Sequence, residues 1–400
     1  MTPDTWYHTV RVSCLPPGMS KEEFGRILSS LPHSNLSDRS QDPNVCFWSL
    51  TSPVSGTSQC CIATVTFSRG QNLRHLASKL KEAIGDNGVH VRVEDTFLGP
   101  TPLIDPGDLA EIDIIAIHGF DGHAFKSWAA EREPTMWLRD FLPEAIPKAR
   151  IITYGYAARL LNGQSEASLG ELADDLRRMI HMARPGQAVS RSAELNLDGS
   201  SANITQKHRP LILIDHDLGG LIIKMALVQA SEAKNSDADQ AFFVSSYAVV
   251  FFGVPQRGFP DKSITAMAKG QPNEKFVRSL VMSSDLQTEL RECFNNYFQL
   301  PGSQAISLYE TMPIHPIKIV IPAESAIFTI AKDNGTSRHL PINANHYDMI
   351  RFNDKSSFDY DKFVTELRKG RRGGTTDYSR TIGSRSYEGN HCTCEESDDG

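Results

Sequence analysis

The chain has 400 residues, 40% of them hydrophobic and 22% charged, with a net charge of −7 and an isoelectric point near 6.0. That length can bury one large core and a smaller one, and the acidic balance argues against a polyanion-binding surface over the whole molecule. The start shows no basic stretch and no apolar stretch of the secretory kind, no apolar run reaches the ~20 residues that cross a bilayer, and seven irregularly spaced cysteines read as reduced cytosolic thiols, so the expected location is cytoplasmic.

Residues 1–98 form a self-contained pattern. His8–Leu15 alternates as a strand does, and Ser20-Lys-Glu-Glu23 opens an amphipathic helix to about Leu31 with capping-box spacing. Val45–Leu50 and Cys60–Phe67 read as strands, Leu73–Ile84 as a helix and Val89–Glu94 as a last strand. The order βαββαβ predicts a ferredoxin-like domain of the RNA-recognition-motif type. Such domains stack bases on aromatics of their central strands. Here those positions hold Ile, Thr and Arg11, so the module suits a protein partner and nucleic acid is not expected.

Phe97–Leu103, with Pro106 and Gly107, reads as a turn-rich linker. Residues 99–369 then alternate strands and helices, the signature of an α/β domain with a mostly parallel sheet. Ile112–Ile117 is a continuous apolar run suited to a strand buried on both faces. Arg150–Tyr154, Leu211–Ile214, Tyr247–Phe252, Ala305–Tyr309 and Ile317–Ile321 are further strands. Trp137–Phe141, Ser168–Met182, Leu218 to about Ala230 and Phe358–Arg368 are helical by apolar spacing. Residues 185–208 read as a flexible insertion, 260–300 as a helical lid and 370–400 as a disordered tail. The tail's His391-Cys392-Thr393-Cys394 reads as part of that tail and not as a metal site.

The chemistry concentrates where Leu211–Ile214 gives way to Asp215-His216-Asp217-Leu218-Gly219-Gly220. A buried strand turning sharply into a helix is the setting of the Gly-x-Ser-x-Gly nucleophile elbow of α/β-hydrolases. Asp215 stands where the first glycine belongs, and Asp217 where the serine belongs. The remaining parts follow in the required order. His118-Gly119-Phe120-Asp121-Gly122-His123 follows the first core strand, and the backbone N–H groups of Phe120 and Leu218 are the candidate oxyanion donors. Glu310 or Glu324, each after a later strand, is the candidate acid, with Glu310 favoured on strand order. His346 is the candidate histidine, and His118, Gly119 and His216 complete the pocket. An Asp at a helix N-terminus is also favoured electrostatically without any catalytic duty. No cofactor or metal is expected.

Beyond these residues, Trp137-Leu-Arg-Asp-Phe-Leu-Pro143, Arg150-Ile-Ile-Thr-Tyr-Gly-Tyr156, Phe251-Phe-Gly-Val-Pro-Gln-Arg-Gly258, Tyr309-Glu-Thr311 and Glu324-Ser-Ala326 complete a recognisable series. With His118–His123 it resembles the lipase-like serine esterases of fungi, relatives of the DUF676 hydrolases and of the inositol deacylases that remodel GPI anchors, over about residues 97 to 369. In many fungal relatives such a domain precedes an NLR-type module. The resemblance implies an α/β-hydrolase fold and a serine triad, with Gly-His-Ser-Leu-Gly-Gly where this chain has Asp215–Gly220 and Thr-Pro-His-Arg-Gly where it has Val254–Gly258.

Asp217 lacks the hydroxyl that a serine esterase acylates. The favoured expectation is therefore a pseudohydrolase that binds a small-molecule or lipid-like ligand, or a protein partner through residues 1–98. The alternative is an active hydrolase with Asp217 as nucleophile, since epoxide hydrolases and haloalkane dehalogenases resemble His216-Asp217-Leu218-Gly219 in their His-Asp-Trp-Gly, or a residual esterase.

Overall fold

The computed structural model describes residues 7–31, 45–52, 60–68, 72–84, 90–157, 159–160, 163–184, 209–298, 303–314, 319–329 and 337–381. The expected insertion at 185–208 and the His391–Cys394 stretch lie outside these residues.

The first unit comprises β1 (His8–Leu15), α1 (Lys21–Ser30), β2 (Val45–Thr51), β3 (Cys61–Phe67), α2 (Leu73–Ile84) and β4 (Arg92–Glu94). Its sheet is antiparallel in the order β2-β3-β1-β4. Ser20 caps α1 by accepting the Glu23 N–H at 3.0 Å, which sends Phe24 and Leu28, one turn apart, into the core beside Val10, Val12 and Val65.

The alternate side chains, Thr9, Arg11, Ser49, Thr64 and Thr66, point to the other face, and the second unit covers them. Arg139 donates to Thr66 Oγ1 at 3.1 Å and lies over the rings of Phe47 and Phe125. Arg11 donates to Thr101 Oγ1 at 2.7 Å and to the Leu98 carbonyl at 2.8 Å. Thr9 and Thr66, and Ser49 and Thr64, satisfy each other in this buried layer at 2.9 and 2.7 Å. The face on which a base-stacking sheet presents its aromatics is thus packed against the rest of the molecule.

The second unit runs β5 (Gly99–Ile104), β6 (Ile112–Ile117), α3 (Trp137–Asp140), α4 (Leu142–Ala145), β7 (Ala149–Gly155), α5 (Leu169–Ala183), β8 (Leu211–His216), α6 (Leu218–Glu232), α7 (Asp237–Ser245) and β9 (Ser246–Phe252). It continues through α8 (Asp261–Ala268), α9 (Glu274–Ser279), α10 (Asp285–Tyr297), β10 (Gln304–Glu310), α11 (Ala323–Ala326), β11 (Ser337–Ile342) and α12 (Phe358–Thr381). The sheet order is β11-β10-β9-β8-β6-β7-β5, all parallel except the edge strand β5. Strands β6, β7, β8 and β9 are buried at every position because helices cover both faces. One core packs α5, α6 and α10 on one side of the sheet, and a second gathers Trp128, Trp137 and the start of α12 on the other. This is the α/β-hydrolase arrangement, with a small antiparallel domain at its N-terminus.

Several expectations need correction. The linker expected at Phe97–Leu103 is largely strand β5, since an edge tolerates Pro100 and Pro102, which lack a donor for the ladder. No strand forms at Ile317–Ile321 among the described residues: 319–321 are irregular, and the last strand is Ser337–Ile342. The apolar run there serves a tight connection instead, with the Ile321 N–H turned onto Glu310. The closing helix runs past Arg368 to Thr381, into the stretch expected as tail. Among the described residues, Cys14, Cys46, Cys60 and Cys61 are thiols. Among the described residues no helix is long and apolar enough to cross a membrane.

Candidate active site

Strand β8 ends at His216, and Asp217 turns the chain into α6 with φ 53° and ψ −120°. An L-residue is held there at a cost of roughly 1–3 kcal/mol, so the surroundings must enforce it. They do so by close packing. The Asp217 N–H is tied to the Phe252 carbonyl at 3.1 Å. A Cβ on Gly119 would lie 2.6 Å from the Asp217 Cβ, and one on Gly219 would lie 2.6 Å from the His118 carbonyl. Glycine at these two positions lets the loop after β6 and the first turn of α6 meet.

That meeting brings a backbone donor onto the Asp217 carboxylate. Phe120 N–H donates to Oδ2 at 3.2 Å, and the Leu218 N–H at the start of α6 favours the charged carboxylate electrostatically. Oδ1 lies 3.5 Å from His346 Nε2. Burial opposes the charged form, but the hydrogen bond and charge of His346, with His216 and the Leu218 N–H, outweigh it. The Asp217 carboxyl is therefore held below the usual range.

His346 Nδ1 faces Glu310 Oε1 at 3.7 Å, longer than a hydrogen bond. Both His346 Nδ1 and Glu310 Oε2 are buried without a hydrogen-bond partner. Glu310, at the end of β10, accepts the Ile321 N–H at 2.6 Å. Burial nevertheless raises its pKa above the usual carboxyl value. Glu324 sits on α11, exposed, and does not reach His346. Of the two candidate carboxylates, Glu310 is the one that lies beside His346.

The flanking histidines are neutral supports. His118 Nδ1 donates to the Gly119 carbonyl at 2.8 Å, Nε2 accepts the Tyr156 N–H at 3.4 Å, and the ring stacks on Tyr156 at 4.4 Å. Burial pushes its pKa down to about 4. His216 donates from Nε2 to the His346 carbonyl at 3.0 Å, fixing the loop that carries His346, and burial pushes its pKa down to about 3. The structure thus assembles Asp217, His346, Glu310, Phe120, Leu218, His118, Gly119 and His216, and leaves Glu324 outside.

Sequence reading missed Lys224 and the ring contacts of Phe120. Lys224 is buried in α6, donates weakly to Gln256 Oε1 at 3.3 Å and lies 5.4 Å from the centre of the Phe294 ring; burial pushes its pKa down to about 7. Beneath the elbow the Asp215 carboxyl has no hydrogen-bond partner, and burial raises its pKa well above the usual value against the opposing pull of Lys224. The signal for Lys224 was available: a lone charge in an otherwise apolar helix has no water-facing side to occupy. Phe259, ahead of α8, and Phe276 of α9 pack on Phe120 at 5.6 and 6.1 Å between ring centres.

No protein-family model matches this chain. Among curated proteins it is similar to mouse (Mus musculus) protein SERAC1, 25% identical over 315 residues covering 72% of this chain and 43% of that protein. The human (Homo sapiens) protein SERAC1 is 25% identical over 283 residues, 64% of this chain and 38% of the human one. The chain therefore spans less than half the length of these relatives. Among solved structures, Bacillus licheniformis lipase BlEst2 aligns at TM-score 0.40 and 15% identity over 67% of this chain and 97% of that one. The hydrolase olei00960 of Oleispira antarctica aligns at TM-score 0.38 and 12% identity, over 70% and 96%.

Proposed function

We propose that this chain is a DUF676-related, lipase-like hydrolase that has given up serine chemistry and acts by binding a small-molecule or lipid-like ligand, or a protein partner. One observation carries the reading: the Asp217 carboxylate itself takes the Phe120 N–H, one of the two backbone donors that an oxyanion hole would offer an ester. A carboxylate is also no acyl acceptor of the serine kind. The wild-type chain is therefore expected neither to turn over short acyl esters nor to react with a fluorophosphonate. Asp217→Ser frees the Phe120 N–H and restores a hydroxyl beside His346, and it is expected to label with the fluorophosphonate. Ester turnover by the wild type that disappears in His346→Ala would overturn the proposal.

A second reading is favoured by the position of Oδ1, 3.5 Å from His346 Nε2 with Glu310 behind. In it, Oδ1 attacks an alkyl carbon of an epoxide, the carbon–oxygen bond of the ring breaks, and the released oxygen takes a proton. His346 then draws a proton from water, which hydrolyses the Asp217 ester. Replacing His346 by Ala would trap that ester, visible as added intact mass after incubation with epoxides or haloalkanes. The absence of any adduct would remove this reading.

A further inference from the structure

We infer that the N-terminal unit mounts the loop carrying Phe120, and that His123 is the positioning residue through which it does so. This rests on reading the Phe120 N–H as a backbone donor of the site, and not on whether Asp217 reacts.

The path is continuous. Arg11 of β1 is paired with Glu94 and lies 5.7 Å from the centre of the Phe97 ring. Phe97 is fully buried, at φ 53°, with its ring 5.2 Å from His123 and 5.6 Å from Phe125. His123 closes the His118–His123 loop. Its Nδ1 accepts the N–H groups of Phe125 at 3.0 Å and Lys126 at 3.1 Å. Two donors on one nitrogen leave it no proton, so the proton is on Nε2, which donates to the carbonyl of Asp95 at 2.6 Å.

One imidazole therefore ties the loop's own turn to the segment leaving β4. Within the loop, Gly122 N–H closes a turn on the Gly119 carbonyl at 3.2 Å, and Phe120 N–H projects from that turn onto Asp217. The groups facing His123 are Asp95, Lys126, Arg11 and His118. Burial, first among the causes, keeps the ring neutral despite the Asp95 carbonyl. The sheet face that carries Arg11 is covered by the second unit, so the unit's contacts there serve the site's geometry.

The test uses the full chain and amide hydrogen exchange at Phe120 and its neighbours, with α6 as the reference for global stability. His123→Asn keeps an acceptor for the Phe125 and Lys126 N–H groups but cuts the bond to Asp95. His123→Gln keeps a donor toward Asp95 and gives up the acceptor. The inference expects Asn at 123 to speed exchange at Phe120 about tenfold, the equivalent of about one hydrogen bond, with α6 unchanged. Gln at 123 is expected to speed it less. Arg11→Met, made outside the loop, is expected to speed it by a smaller factor than Asn at 123. Wild-type exchange in both His123→Asn and Arg11→Met would overturn the inference, as would full protection in the Asn variant with loss in the Gln one. The readout needs no turnover, so an active Asp217 would sink the proposed function and leave this result intact.

Discussion

The two ends of the seven-stranded sheet each bury an aspartate, and they treat it in opposite ways. At the N-terminal end, Asp113 of β6 meets the Nε atoms of Arg150 at 2.8 Å, Arg184 at 2.7 Å and Arg209 at 3.0 Å. Burial opposes the charge, but three permanent cations overrule it and hold the carboxyl below its usual range. Arg184 is further tied to Ser245 Oγ at 2.7 Å. At the C-terminal end, Asp217 is held by the Phe120 N–H and by a histidine at 3.5 Å. The first aspartate is locked by short contacts to groups that never lose their charge. The second is held by longer contacts, in a strained turn. A buried charge saturated by arginines is architecture, whereas the one at the C-terminal strand ends is left with room for another partner.

The contrast can be broken at either end. The largest expected effect is at Asp113. Asp113→Asn leaves two buried guanidinium groups and a half-buried third without their counter-charge and should cost about 3–5 kcal/mol in denaturant unfolding. A loss under about 1 kcal/mol would show that this cluster is not the lock described.

Next comes acid. His118 and His216 have folded-state pKa values of about 4 and about 3, below the 6.5 of an unperturbed histidine, because burial excludes their charged forms. The unfolded chain therefore binds their protons first as pH falls. Their contribution is complete above pH ~6.5 and is lost progressively toward pH 4 and then 3, by on the order of 3 kcal/mol for His118. Urea unfolding between pH 7 and 4 measures this, and His216→Gln should make the fall shallower; an unchanged slope would contradict the assignment.

The smallest effect expected is a gain. Lys224 is buried with only weak hydrogen bonds, and burial pushes its pKa down to about 7. Lys224→Met keeps the volume and removes the desolvated amine, so stability at neutral pH should rise by about 2 kcal/mol, read as a higher Tm. A lower Tm would mean that the amine has a role the present contacts do not reveal.

Much of this site was legible because its signals are local. The elbow is written in ten consecutive residues, an apolar strand followed by Asp217-Leu218-Gly219-Gly220. The order Asp217, Glu310, His346 also survives translation into space. Other features were not local. Pro100 and Pro102 look like linker residues until β5 is known to be an edge. Glu310 and Glu324 each follow an apolar run, and only the pairing of β10 between β9 and β11 puts one of them beside His346.

By itself, then, the sequence determined that a carboxylate and not a hydroxyl sits at the elbow, and that the helices and strands alternate as a layered α/β sheet requires. Only the tertiary structure decided where that carboxylate points. Phe120 and Asp217 are 97 residues apart, and no local rule places one N–H on the other's oxygen. The packing of β6 against β8, with glycines where the two loops touch, does so. The same holds for the first sheet, whose outward face reads as open along the strands and is closed because Arg11 and Arg139 find their partners across the boundary between the two units.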